Sequence, residues 1–308
     1  MLATHFPGIR AIVLDRNYGF TGGYNRAMAR LLSGPGPRPE YLLLLNSDIL
    51  VEPGWLDRLT DYMDTHPECG ICGPKLLALT HKDGAYIQTD RLEYAGAAGG
   101  YIDRFGYPFC RGRVLSRTDV DGPGYSSVKD VLWVSGACLM TRASLWEESG
   151  GLDERFFAHM EEIDYCWRAQ LAGHRVRVIP SSRVWHLGGG TLPRTSATKL
   201  RLNYRNGLLL LDNNLAPTIG RFKARVRIIT RLVLDDCSAL VYLLVGKTDF
   251  CGSVFRAHRE YRRLRKVPHK SASRNGDVRG VAPVCIILQS LLRGERIFDY
   301  LRRYEDSH

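Results

Sequence analysis

The most constraining feature of the sequence is an unbroken apolar run, Tyr41–Leu45, that ends in Asn46-Ser47-Asp48. Such a run is typical of a strand that is buried on both faces of a mostly parallel sheet. Helical patterns lie on either side of it, at 24–32 and 53–66, and a further strand is predicted near Ile71. This alternation predicts an α/β fold with a mostly parallel sheet, in which ligands bind at the carboxyl ends of strands.

The rest of the chain continues this pattern of short strands and helices. The further predicted elements are strands at Ile9–Leu14, Val131–Met140 (interrupted at Ser135-Gly136) and Arg175–Ile179, hairpins and loops over 80–128, and helices at Glu161–Ala172 and Lys199–Asp212. We expect one large α/β domain over residues 1–215, followed by a basic, amphipathic and helical C-terminal extension over residues 216–308.

The charge of the chain predicts an anionic partner. The formal net charge is +11, and a basic excess attracts nucleic acid, anionic lipid or phosphorylated small molecules. Nucleic acid is disfavoured because the sequence shows neither zinc-finger spacing nor an aromatic-rich RNA-binding motif. The basic residues crowd one stretch, which predicts either a solvated helix face or attraction to an anionic membrane surface: Arg256, Arg259, Arg262, Arg263, Arg265, Lys266 and Lys270.

An apolar helix face precedes this basic stretch. It is formed by Phe222, Val226, Ile229, Val233, Leu240 and Leu244, with basic residues at Arg225, Arg227 and Arg231. The pattern fits an interfacial amphipathic helix, and it fits equally a helix that packs on the core. The sequence has no signal-peptide pattern and no stretch of 18 apolar residues. We therefore expect a cytoplasmic protein, peripheral on the inner face of the cell membrane.

Three groups of residues carry candidate chemistry. Asp48 follows a buried strand, where a carboxylate holds Mg²⁺ or Mn²⁺, although Asn-Ser-Asp is also a common turn and helix-capping sequence. Glu161, Glu162 and Asp164 open a helix; they supply either a general base or simple charge complementing the helix dipole. Glu161 and Asp164 share a helix face, so Glu162 points elsewhere.

The third group surrounds His186, which precedes the glycine run Gly188-Gly189-Gly190. A histidine beside a glycine loop can complete a metal site when a substrate enters, although a lone histidine is more often structural. Basic residues follow that can neutralise a diphosphate: Arg194, Lys199, Arg201 and Arg205.

Together these blocks resemble the family 2 glycosyltransferases, particularly their bacterial rhamnosyltransferase-like branch. The resemblance covers about residues 5–215 and rests on the order and spacing of six blocks: Asn17-Tyr18-Gly19-Phe20-Thr21-Gly22-Gly23-Tyr24-Asn25, Leu44-Leu45-Asn46-Ser47-Asp48, Val134-Ser135-Gly136-Ala137-Cys138, Gly150 to Phe157, Glu161 to Arg168, and His186 to Thr191 with Tyr204-Arg205-Asn206. It implies a GT-A-like fold that lacks the family's first βαβ unit in this chain.

The resemblance also implies roles for individual residues. Asp48 and His186 are expected to bind a divalent cation, Mg²⁺ or Mn²⁺, and Glu162 stands where the family's catalytic base, usually Asp, is found. The residues implied in binding a nucleotide-diphosphate sugar donor are Asn17, Gly19, Gly22, Gly23, Asn25, Asn46, Asp48, Gly136 and Arg205. The implied reaction is inverting transfer of a sugar to a glycan or lipid-linked acceptor in cell-surface polysaccharide synthesis. The alternative is a sugar- or nucleotide-binding remnant without turnover.

Overall fold

A computed structural model describes residues 2–188, 196–269 and 276–306. The helices are α1 (Leu2–His5), α2 (Gly19–Leu32), α3 (Trp55–Thr65), α4 (Ala143–Ser149), α5 (Glu161–Leu171), α6 (Ala197–Ile219), α7 (Arg221–Leu244), α8 (Thr248–Leu264), α9 (Ile286–Arg293) and α10 (Ile297–Asp306). The strands are β1 (Tyr41–Leu45), β2 (Ile49–Val51), β3 (Cys69–Lys82), β4 (Ala85–Leu92), β5 (Gly100–Ile102), β6 (Pro108–Cys110), β7 (Arg113–Val114), β8 (Arg117–Thr118), β9 (Lys129–Asp130), β10 (Cys138–Arg142) and β11 (Arg175–His186).

The central sheet confirms the α/β class but corrects the predicted strand directions. Its order is β1-β10-β3-β11-β2, with β4 added to β3 and β9 added to β11. Among the named strands of the described residues, only β3 and β11 pair in parallel. The prediction of a mostly parallel sheet was therefore wrong. An apolar run reports burial, whereas the direction of a strand depends on its partners, which the run does not reveal.

Strand β1 has the predicted bounds and is covered on both faces. It pairs with β10 in an antiparallel register that places Tyr41 opposite Arg142. Leu42 and Leu44 are buried in the main core, and Leu43 packs against the cluster that α3 completes on the other face. The expected burial of this strand follows from its position between α3 and the main core.

Two predicted strands differ from the structure. Ile9–Leu14 forms no strand, and Ile9 and Val13 are 58% and 80% exposed. Extended backbone becomes a strand only when a neighbour accepts its hydrogen bonds, and here the Arg30 guanidinium bonds the Val13 carbonyl instead. The strand predicted over Val131–Met140 begins only at Cys138, because a turn closes with Cys138 N donating to Ser135 O.

The C-terminal helices pack closely on the rest of the molecule. The predicted boundary at residue 215 falls inside α6. Helix α6 packs against α7 and α8, and a buried ion pair joins Arg231 to Asp235 on α7 at 2.7 Å. Glu305 of α10 pairs with Arg111 at 2.7 Å. Within 2–188, 196–269 and 276–306, every helix is too short or too polar to span a bilayer.

Candidate active site

Asp48 and His186 lie side by side, as the sequence predicts. His186 Nε2 is 3.3 Å from Asp48 Oδ1. The reason is the antiparallel pairing of β2 with β11, which sets Ile49 opposite His186, and Leu187 N donates to the Asp48 carbonyl at 3.1 Å. The two side chains therefore meet through a short antiparallel strand, whereas we expected the carboxyl ends of parallel strands to bring them together.

The other ring nitrogen of His186 faces a buried carboxylate. Nδ1 is 3.4 Å from Glu93 Oε1, at angles that do not form a regular hydrogen bond. Glu93 is 3% exposed and accepts a hydrogen bond from Ala95 N. Burial disfavours the charged imidazole, but Glu93 and Asp48 outweigh it and raise the pKa of His186. Glu93 follows β4 in a segment without a motif, so sequence reasoning missed it.

The Asp48–His186 pair suits a divalent cation. Neighbouring ligands of an octahedral ion with bonds of about 2.1 Å stand about 3 Å apart, close to the observed Nε2–Oδ1 separation. A carboxylate behind the second nitrogen of a metal-binding histidine fixes the ring orientation, which is the place of Glu93. In the described part of the chain, no three His, Cys, Asp or Glu side chains converge to hold an ion. The remaining ligands would come from substrate phosphate and water, as Mg²⁺ prefers.

Glu162 lies on the first turn of α5 beside a glycine. A Cβ atom at position 136 would stand 3.4 Å from both Glu162 Cβ and the Phe20 ring, so Gly136 lies directly beside Glu162. Glu162 Oε2 is buried and has no hydrogen-bond partner among the residues that the structure describes. Burial raises the pKa of Glu162 to about 7. This side chain therefore has the basicity and the open coordination expected of a general base.

Glu161 shares the environment of Glu162 in part, because its Oε2 is also buried without a hydrogen-bond partner among the described residues, whereas Asp164 is fully paired. Glu161 is 5% exposed, and burial followed by the neighbouring Glu162 raises its pKa. Asp164 is fully buried and pairs with Arg168 at 2.7 Å. Its second oxygen accepts hydrogen bonds from the amides of Asn213 and Asn214 at 2.8 and 2.9 Å. All of this supports Asp164 as a structural anchor of α5.

The turn at 135–137 lies between the two candidate groups. Asn46 N donates to the Ala137 carbonyl at 2.9 Å, which ties the Asn46-Ser47-Asp48 segment to one side of the turn. Gly136 faces Glu162 on the other side. The turn therefore contacts Glu162 and also Asn46, two residues before Asp48, although these residues lie far apart in the sequence.

The glycine-rich segment forms the start of α2. Asn17 Oδ1 accepts a hydrogen bond from Gly19 N at 2.8 Å, and Gly19 has a φ of +72°. A Cβ at Gly22 would stand 2.9 Å from Arg26 Nη1 and 3.0 Å from Tyr18 Cβ, whereas one at Gly23 would meet no described residue within 4 Å. Gly19 is therefore required by the backbone and Gly22 by close packing, while space alone does not explain Gly23.

Asn25 and Arg205, two of the predicted donor-binding residues, are engaged with the protein. Both ends of the Asn25 amide bond the main chain of Leu152, at 2.8 and 2.9 Å. Arg205 is 7% exposed; it donates to the Phe156 carbonyl at 2.7 Å and pairs with Glu260 at 3.3 Å. The predicted positions Gly189, Gly190, Arg194 and Lys270 lie outside the described residues.

The segment before α5 has an unusual backbone that the sequence does not signal. Phe157, His159 and Met160 have φ values of 64°, 73° and 70°. Each such non-glycine residue costs on the order of 1–3 kcal/mol. The Phe157 carbonyl accepts hydrogen bonds from Phe20 N and Thr21 N at 3.0 and 3.4 Å, which joins this segment to the start of α2. Strain therefore accumulates directly before Glu161 and Glu162.

Comparison with known proteins agrees with the resemblance seen in the sequence. The family description "Glycosyltransferase like family 2" matches residues 2–207. An N-acetylglucosaminyl-diphospho-decaprenol L-rhamnosyltransferase of Mycobacterium tuberculosis is 28% identical over 211 residues, which cover 67% of each chain. Rhamnosyltransferase WbbL of Escherichia coli is 26% identical over 186 residues, which cover 60% of this chain and 66% of the relative.

Solved structures show a more distant likeness. GalNAc-T7, crystallised with UDP, GalNAc and Mn²⁺, aligns with a TM-score of 0.46 at 13% identity, over 65% of this chain and 35% of that protein. A likeness of this strength carries no argument about the substrate or the metal of this chain. The family match itself confirms the expected GT-A-like class.

Proposed function

The chain belongs to the family 2 glycosyltransferases and is a glycosyltransferase, and we propose that it transfers a sugar from a nucleotide-diphosphate donor to an acceptor hydroxyl with inversion. The observation that carries the proposal is the Glu162 carboxylate. Among the described residues its Oε2 is buried without a partner, and Glu162 lies beside the turn at 135–137, to which Asn46, two residues before Asp48, is hydrogen-bonded. A general base and a bound cation both contribute to catalysis of such a transfer.

In the proposed reaction, Glu162 accepts the proton of the acceptor hydroxyl. The hydroxyl oxygen forms a bond to the anomeric carbon while the bond from that carbon to the diphosphate breaks, so the configuration inverts. Asp48 and His186 would hold the cation. When bound, Mg²⁺ or Mn²⁺ supplies charge stabilisation to the leaving diphosphate. Burial keeps Glu162 basic enough to accept a proton near neutral pH.

The proposed acceptor is a glycan or lipid-linked glycan in cell-surface polysaccharide synthesis, with rhamnose as the first sugar to test. The names of the relatives from Mycobacterium tuberculosis and Escherichia coli support this choice, since both are rhamnosyltransferases and one acts on a decaprenol-linked sugar.

The proposal includes association with an anionic membrane surface through α7. The six apolar residues predicted to share a face are all exposed: Phe222, Val226, Ile229, Val233, Leu240 and Leu244. The opposite face of the same helix packs on the core through Ile228 and Leu232 and contains the buried Arg231–Asp235 ion pair. A helix in water normally buries its apolar face. The start of α7 carries three exposed basic residues, Arg221, Lys223 and Arg225. Their charge favours an anionic lipid surface as the partner that covers the apolar face.

A donor screen tests the proposed activity. The purified chain is incubated with Mn²⁺ or Mg²⁺ and a panel of nucleotide-diphosphate sugars that includes rhamnose, with and without a lipid-linked N-acetylglucosaminyl diphosphate. We expect release of nucleoside diphosphate from one donor, faster with the acceptor, and a product of inverted anomeric configuration. Retention of configuration, or equal turnover by Glu162→Gln, would contradict the mechanism.

A further inference from the structure

Asn206 on α6 makes an unusual set of contacts with the main chain. It is completely buried. Its Nδ2 donates to the carbonyl oxygens of Phe156, Ala158 and His159 at 3.2, 2.8 and 2.7 Å. Its Oδ1 accepts a hydrogen bond from Arg205 Nε at 2.8 Å, which fixes the orientation of the amide. One side chain therefore holds three carbonyl groups within four residues.

These carbonyl groups belong to the left-handed segment that leads into α5. Phe157, His159 and Met160 all have positive φ, a conformation that bulky residues adopt only when their surroundings impose it. The Met160 carbonyl then accepts the hydrogen bond of Asp164 N at 3.0 Å, which starts the helix. The orientation of these peptide groups sets where α5 begins and where its first side chains point.

We infer that Asn206 is a positioning residue for the Glu162 carboxylate. It acts by holding residues 156–160 in the conformation that places Glu162 beside Gly136. The inference rests on the proposed function in one respect, namely that Glu162 is the base. It also gives α8 a part in the site, because Glu260 pairs with Arg205, and Arg205 orients the Asn206 amide.

The test compares Asn206→Ala with a matched control, Gln170→Ala. Gln170 is also buried, at 2% exposure, and its amide donates to two consecutive carbonyl groups, those of Val131 and Leu132. It lies at the other end of α5. Both variants lose a buried amide that bonds the main chain, so we expect similar losses of stability in denaturant unfolding. Only Asn206→Ala is expected to disturb the site.

Transfer kinetics at a temperature where both variants are folded provide the first measurement. For Asn206→Ala we expect kcat to fall about 10- to 100-fold, the scale of a small misplacement of a catalytic group, with little change in the KM of the donor. The double variant with Glu162→Gln should be no slower than Glu162→Gln alone, because Asn206 acts through that carboxylate. Losses that multiply, or equal losses in Gln170→Ala, would overturn the inference.

Amide hydrogen exchange provides a second measurement that does not require turnover. Exchange at 157–162 should accelerate in Asn206→Ala relative to wild type and to Gln170→Ala. Unchanged exchange there overturns the inference whatever the kinetics show. If exchange accelerates and Asn206→Ala is slower, but Glu162→Gln keeps wild-type turnover, then the segment is held by Asn206 and the assignment of Glu162 as base has failed. In that case Asn206 does not position a catalytic base, so the inference fails as well, and the cause of its failure is the error in the proposed mechanism.

Discussion

The Nε2 atom of His186 lies 3.3 Å from the Oδ1 atom of Asp48, and Glu93 Oε1 lies 3.4 Å from the opposite ring nitrogen. The imidazole is therefore held between two carboxylates. In this arrangement a proton or a cation on Nε2 would interact favourably with the Asp48 oxygen. Glu93 cannot share an ion at Nε2, because it faces Nδ1. We therefore propose Asp48 and His186 as the ligand pair and Glu93 as the carboxylate behind the ring.

The first prediction concerns cation binding. In the presence of a nucleoside diphosphate, Asp48→Asn and His186→Ala should each weaken Mn²⁺ binding by at least about 10-fold. Glu93→Gln should weaken Mn²⁺ binding by about 10- to 100-fold, as the loss of a partner of a metal ligand does. Titration calorimetry or the Mn²⁺ resonance signal measures this without turnover. Asp61→Asn, an exposed carboxylate on α3, serves as the control. Wild-type affinity in both ligand variants would contradict the assignment.

The second prediction separates Glu162 from Asp164. Glu162→Gln should lower kcat about 10²- to 10⁴-fold, the usual contribution of a general base, while donor binding and stability change little. Asp164→Asn leaves Arg168 as an unpaired buried charge, so it should lower the free energy of unfolding by about 3–5 kcal/mol. Rate assays and urea unfolding on both variants check this. If Glu162→Gln keeps normal turnover while Glu161→Gln abolishes it, the base is Glu161.

Local patterns predicted much of this fold. Strand Tyr41–Leu45 was predicted at its observed bounds, and helix α5 within one residue of its end, because apolar runs and helix-opening carboxylates are signals within a few residues. The directions of the strands and the strand over Ile9–Leu14 were predicted wrongly, because strand pairing depends on residues far away in the sequence. The same limit explains why Glu93 and the role of Asn206 escaped notice: both depend on tertiary contacts.

The third prediction concerns pH. Burial raises the pKa of Glu162, and catalysis requires its deprotonated form, so kcat/KM should rise with pH and level off above about 7. Stability should change in the opposite direction. Between the unfolded pKa near 4.5 and the raised folded pKa, the folded state binds more protons than the unfolded state, and the free energy of unfolding falls as pH rises.

Gln substitutions isolate this pH dependence. Glu161→Gln with Glu162→Gln removes both buried carboxyl groups, so its free energy of unfolding should decline less than that of the wild type as pH rises from about 4.5 to 8. Urea unfolding across that range measures the difference between the two proteins. His186 contributes equally to both, so its own titration cancels. Parallel curves would show that the two carboxyl groups are not neutral in the folded protein.

The fourth prediction concerns the exposed apolar face of α7. Phe222 and Leu244 at its two ends are 81% and 77% exposed. Inserting a large apolar side chain into lipid contributes about 1.5–3 kcal/mol, and each basic residue near an anionic leaflet about 1 kcal/mol. The chain should therefore bind vesicles that contain anionic lipid and dissociate at about 1 M salt, where charges are screened within about 3 Å. Vesicle flotation measures both effects.

Two variants locate the surface that binds. Phe222→Asp should reduce vesicle affinity about 10- to 100-fold, since it replaces apolar insertion by a charge that the leaflet repels. Ile87→Asp, which changes an exposed apolar residue on β4, should bind as the wild type does. Neither change touches the core, so both proteins should keep their thermal stability.

Equal binding to neutral vesicles would remove the electrostatic part of the proposal. If the wild type binds no vesicles but forms a dimer that Phe222→Asp dissociates, the cover of α7 is a second copy of the chain and the membrane proposal fails.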